Sequence, residues 1–250
     1  MDAAAVAWVS SALRPWGEEW PPRIDELVPD GYPAYARVLH PAHDPNEGEV
    51  SWARVSEWSG RQLKPDSLFE DIATRDDGSR WPGAGPHEGQ LEREVCTRLA
   101  RLFGPFTTTP GSVWYCVWAG WGGLRGPEID LQPAITSRSF RIYRGPLEAV
   151  GGLIFDLEDP GSAAVLTSSD SADPAEQPSP PELGFYAPSL WWPEDRAWFG
   201  HTEVDARSTY IGGSEAMIRT LLEDHQLEVL PAALEHTFDG VYPGMPRLLD

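Results

Sequence analysis

His201, Glu203 and Asp205 stand at i, i+2 and i+4 in one apolar stretch. A β-strand alternates its side chains, so this spacing puts an imidazole and two carboxylates on one face, with Trp198, Thr202 and Val204 opposite. Such a row suits acid–base work or a divalent cation. The plainer reading is the polar face of a half-buried strand. His40 and His43, in His-Pro-Ala-His-Asp, have the spacing of some metal ligands, but no cysteine pair or flanking pattern supports a site. The plainer reading is a Pro-rich surface turn, with no metal bound. Gly212-Gly213-Ser214 offers free N–H groups at a helix start, without the Lys-Ser/Thr of a phosphate loop or a dinucleotide fingerprint. There is no G-x-S-x-G elbow, and neither Cys96 nor Cys116 lies in a catalytic signature. No cofactor is expected.

The other chemistry-bearing feature is aromatic. Twelve tryptophans occur in 250 residues. Most fall in three groups: Trp8, Trp16 and Trp20; Trp114, Trp118 and Trp121; Trp191, Trp192 and Trp198. A tryptophan buries a large ring and keeps one N–H that wants a partner. The groups imply either a core of large rings or an aromatic-walled recess. In the second case Trp114, Trp118, Trp121, Trp191, Trp192 and Trp198 are the binding anchors. With one lysine, Lys64, and one asparagine, Asn46, the composition suggests GC-rich coding, so the clustering says more than the count.

The elements that would position these residues read as follows. Residues 3–13 form a short helix. Ser51 caps a helix carrying Trp52, Val55 and Trp58, stopped by Gly60. Residues 64–75 hold another short helix. The clearest helix is 88–103, with Leu91, Val95, Leu99 and Leu102 on one face and Gly104-Pro105 at its end. Strands are expected within 107–123, 137–147, 151–157, 197–204 and 226–231, with a helix over 214–225. In 137–147, Phe140 and Ile142 face one way and Arg141 and Tyr143 the other. Residues 159–182, rich in Ser, Pro, Ala and acid, read as a flexible loop. Helices and strands do not alternate regularly. The fold class is therefore α+β: one domain over 1–250, a mainly antiparallel sheet and several short helices.

Composition narrows the function. Net charge is −20, with 39 acidic against 19 basic residues. That excludes phosphate-driven nucleic-acid binding and argues against an anionic membrane surface. A basic protein partner is permitted. No apolar run approaches the ~20 residues of a membrane helix, and the N-terminus does not read as a signal peptide. A cytoplasmic location is expected.

Several stretches resemble a family of actinobacterial proteins with no assigned activity. They are VPDGYPAYARVLHP at 28–41, TTTP at 107–110, WYCVWAGWG at 114–122, YRGPL at 143–147, PSLWWPEDRAWF at 188–199 and TEVDARSTYIGGS at 202–214. Their spread implies a full-length match and one domain, and lends no catalytic residue. The LVPDGYPAYARVLHP segment is also similar to intracellular immunity and regulatory modules that neutralise toxins. The leading expectation is a non-enzymatic binding protein of immunity or regulatory type, with aromatic anchors and an acidic surface. The alternative is a small-molecule enzyme using His201, Glu203 and Asp205, with a possible divalent metal.

Overall fold

In β4 (Val113–Trp118) every residue but the last is buried, and β7 (Leu190–Pro193) and β9 (Ser208–Gly213) are buried throughout. Strands without a solvent-facing set belong in a sheet covered on both sides. The computed structural model, which describes residues 3–15, 22–121, 124, 126–131, 135–152 and 185–240, shows that arrangement. The remaining strands are β1 (Ala34–Leu39), β2 (Ala42–Asp44), β3 (Gly48–Val50), β5 (Glu128–Leu131), β6 (Ile135–Gly145), β8 (Phe199–His201) and β10 (Val229–Ala232). Eight of the ten strands among the described residues form one antiparallel sheet in the order β10-β1-β9-β8-β7-β4-β6-β5, and β2 and β3 pair as a separate hairpin. The helices are α1 (Ala3–Ala12), α2 (Trp52–Ser59), α3 (Phe69–Ile72), α4 (Arg93–Phe103) and α5 (Glu215–Leu222). This is the α+β architecture expected, a single domain with a mainly antiparallel sheet. Among the described residues, no helix is long and apolar enough to cross a membrane.

Strand alternation divides the tryptophans. Val113, Tyr115, Val117 and Trp191 point to one face, where α4 and α5 cover them together with Trp198. Trp114, Cys116, Leu190, Trp192 and Phe199 point to the other, under α1, the 24–28 segment and Phe238. Trp191 and Trp192 are neighbours in sequence yet lie in different cores, as period two requires. Phe103 sits against Trp191 at 5.2 Å and Trp198 at 4.7 Å between ring centroids. Trp8 meets Trp192 and Phe199 edge-on at 5.8 Å each.

A satellite core of Leu39, Trp52, Val55, Phe69, Ile72 and Trp81 lies under α2 and α3. Three polar ties hold it to the sheet. Buried Arg37 on β1 donates to the Ser67 carbonyl (2.9 Å) and Ser208 Oγ (3.0 Å), with its guanidinium 5.1 Å from the Trp52 ring centroid. The Glu228 carboxylate accepts from the first N–H groups of α2, Trp52 (2.6 Å) and Ala53 (2.8 Å). Asp239 accepts from Phe69 N–H at 3.0 Å. A buried charge must be matched by such groups or it destabilises the fold.

Local signals were accurate where punctuation was strong. Ser51 Oγ accepts from Arg54 N–H, and Gly60 ends α2 at φ 75°. Ser214 Oγ accepts from Met217 N–H at the start of α5. Two element boundaries need correction. The 88–103 helix begins only at Arg93, because Gly89, at φ +70°, turns the chain and donates its N–H to the Ala206 carbonyl (2.9 Å). Leu91 is buried ahead of the helix, and α4 buries Cys96, Leu99, Ala100 and Phe103, leaving Val95 and Leu102 at the margin. The expected 197–204 strand is only three residues long. After His201 the chain folds into a turn closed by Ala206 N–H to the Glu203 carbonyl (2.9 Å). The strand expected at 151–157 lies outside the described residues beyond Gly152, as does the loop at 159–182; Gly151 and Gly152 end a 3₁₀ segment, Leu147–Gly152.

Candidate functional site

The turn after β8 decides the fate of the His-Glu-Asp row. His201 remains on the strand, while Glu203 and Asp205 sit in the turn, so the three do not share a strand face. His201 is buried, and its Nδ1–H donates to the Leu27 carbonyl at 2.8 Å. Burial holds its pKa down, to about 4, so the ring is neutral. Glu203, 2% exposed, lies 2.7 Å from Arg138 of β6. Burial pushes its pKa up to about 7 against the pull of Arg138, and Asp205 adds to the rise. Arg138 is shared, since Asp205 accepts from it at 2.5 Å. The Arg138 guanidinium covers Trp118 at 5.4 Å from the ring centroid. Trp118 meets Trp121 edge-on at 5.2 Å, and Trp121 stacks on Tyr186 at 6.1 Å.

Chemically, this is one arginine neutralising two carboxylates beneath an aromatic rim. A carboxyl titrating near 7 is suited to proton transfer. Glu203, however, is enclosed. The arrangement first serves to fasten the β8–β9 turn to β6. Among the described residues, no group of three or more His, Cys, Asp or Glu side chains is placed to hold a metal ion.

His40 and His43 also part company. His40 is buried: its Nδ1–H donates to the His87 carbonyl (2.8 Å), and its Nε2 accepts from Thr209 Oγ1 (3.0 Å), itself 2.8 Å from Thr202 Oγ1. Burial lowers its pKa to about 4. His43 is exposed on β2. A histidine in the core and one on the surface do not form a ligand pair, and the buried His40 also departs from the surface turn expected at this segment.

The six candidate anchor tryptophans divide in the same way. Trp191, Trp192 and Trp198 are fully buried, so their rings are core and cannot meet a partner. Trp114 is buried to 8% exposure; its Nε1–H donates to Glu194 at 2.8 Å and Arg144 lies over its ring. Only Trp118 and Trp121 remain half-buried. The aromatic-recess expectation therefore narrows to those two.

A recess that the sequence reading missed runs along the sheet edge between α5 and β10. It is an open groove of about 600 Å³. Its lining includes the apolar Tyr35, Ile218, Leu222 and Ala232 and the charged Glu215, Arg219 and Glu235. Leu222, 40% exposed, is the one large apolar side chain left exposed among the described residues. Glu215, Ile218, Arg219 and Leu222 are spaced i, i+3, i+4 and i+7; Glu215, Arg219 and Leu222 are exposed along α5, and Ile218 is buried in the core beneath them. The signal was legible in principle: Leu221 and Leu222 are adjacent, and a helix cannot bury both on one face.

No family model, curated protein or solved structure matches this chain.

Proposed function

We propose that this chain is a cytoplasmic, non-enzymatic protein-recognition module of immunity or regulatory type, which engages a basic partner through the groove between α5 and β10. The observation that carries this reading is the exposed Leu222 beside an open apolar groove with Glu215 and Glu235 on its rim. An apolar anchor site ringed by charge is the usual anatomy of a binding surface. With a net charge of −20, the protein's field attracts a basic partner and repels nucleic acid. No membrane role is part of this reading.

The test is affinity capture from the native host at low and high salt, with wild type and Leu222→Asp side by side. The expected result is a specific basic protein retained by wild type at low salt, weakened at high salt and lost with the variant. Capture of the same protein by both forms, or of none at either salt, would overturn the reading.

A second reading has one observation in its favour: Glu203, titrating near 7 beside Arg138, Trp118 and Trp121, has the acidity of a general acid–base. It makes the chain a small-molecule enzyme with Glu203 as its proton-transfer group. This reading needs substrate access to a carboxyl that is 2% exposed.

A further inference from the structure

The groove lies beside a sheet edge, and two kinds of occupant can use such a place: an added β-strand, or a helix laid against α5. The main-chain geometry of β10 separates them. Leu39 N–H donates to the Glu228 carbonyl at 2.9 Å, so Leu39 and Glu228 form a hydrogen-bonded pair. Bonded and non-bonded pairs alternate in an antiparallel ladder. Arg37–Leu230 and Tyr35–Ala232 are then bonded, and Val38–Val229 and Ala36–Pro231 are not. The outward main-chain groups of β10 therefore belong to Val229 and Pro231. Proline has no N–H, so of the two outward-facing residues of β10 only Val229 has a main-chain donor.

The chain beyond is also committed elsewhere. The Leu234 carbonyl accepts from Asp25 N–H (3.1 Å), and the His236 carbonyl accepts from Ile24 N–H (3.0 Å). This edge is blunted against strand addition in the manner of natural sheets. A second copy of the chain is opposed by self-repulsion at net charge −20.

Side chains, by contrast, are well placed. The exposed Glu215, Arg219 and Leu222 span the length of α5, about 12 Å at 1.5 Å per residue. Two of the three charged groups on the groove are carboxylates, Glu215 and Glu235.

We infer that the occupant of the α5–β10 groove is a basic amphipathic helix of a partner protein. About two turns of it seat apolar residues spaced i, i+3/i+4 and i+7 on Leu222, Tyr35 and Ala232, with Arg or Lys set against Glu215 and Glu235. This rests on the recognition reading above and adds the form and charge of the partner segment.

Two displayed peptide libraries test it on the full chain. In one, the randomised positions lie on a hydrocarbon-stapled helix; in the other, they lie in an alternating, proline-punctuated extended peptide. The expected result is enrichment from the helical library of arginine- or lysine-rich sequences with apolar residues at helical spacing. These should weaken at least ~10-fold on Leu222→Asp and at least several-fold on Glu215→Gln/Glu235→Gln, with the melting temperature of each variant unchanged. Binders drawn only from the extended library, or amide shifts at the groove that grow with protein concentration alone, overturn the helix and leave the groove as a binding surface. Groove-directed binders from neither library overturn the recognition reading as well.

Discussion

Replacing Glu203 by Gln isolates a carboxyl strongly perturbed by burial. In the folded chain Glu203 titrates near 7, raised chiefly by burial from an ordinary 4.5. A raised carboxyl pKa means that between pH 4.5 and 7 the folded state holds a proton the unfolded state has released. Stability from this group is therefore present at low pH and lost as pH rises from 4.5 through 7. At about 1.4 kcal/mol per pKa unit, the full swing from 4.5 to about 7 is about 3.5 kcal/mol. Glutamine keeps the size and cannot ionise, and Arg138 keeps Asp205 as its counter-charge. The variant should therefore gain on wild type by about 2–3 kcal/mol between pH 5 and pH 8, whatever the offset between them at pH 5. Urea unfolding followed by tryptophan fluorescence at pH 5, 6, 7 and 8 measures this gap. A gap that stays constant across the range would refute the placement of Glu203 as an enclosed carboxyl.

Other consequences are equally direct. His40 and His201 are held neutral to about pH 4, so they oppose Glu203 and cost stability as pH falls from 6.5 towards 4; NMR titration should show neither ring protonating above pH 5, and a midpoint near 6.5 would contradict their burial. Gly89→Ala should lower stability by about 2 kcal/mol or more in thermal melts, because a Cβ at φ +70° would stand 2.3 Å from the Val204 carbonyl oxygen; an unchanged melting temperature would show that the 88–92 segment is not docked there. Trp118→Ala should cost about 2–3 kcal/mol, less than a fully buried ring, since it loses packing on Trp121 and Arg138 at a half-buried site; a loss above ~5 kcal/mol would mean the ring is core.

What the sequence shows of this fold follows from where local chemistry is decisive. Ser51, Gly60 and Ser214 set helix ends through their own side chains or backbone freedom, and these were readable. The apolar run at Val113–Trp118 was readable as a strand, but not the splitting of Trp191 from Trp192 into two cores, because both sheet faces are covered and no alternation survives. The His201–Asp205 row failed because a turn, closed by contacts with Gly89 and Arg138 far away in sequence, interrupts the strand that the spacing assumed. Arg138 and Glu228 act across long separations, to Glu203 and to α2, and no short pattern marks them. The groove combines α5, β10 and the start of β1, so only Leu222 hinted at it.

The recognition reading is tested most directly by hydrogen exchange on the full chain with its captured basic partner. Protection should concentrate at 215–222 and 229–235, with the Trp118–Trp121 segment and the Glu203 turn unchanged. Protection at Trp118–Trp121 and the Glu203 turn, with α5 and β10 exchanging as in the free protein, would contradict the account.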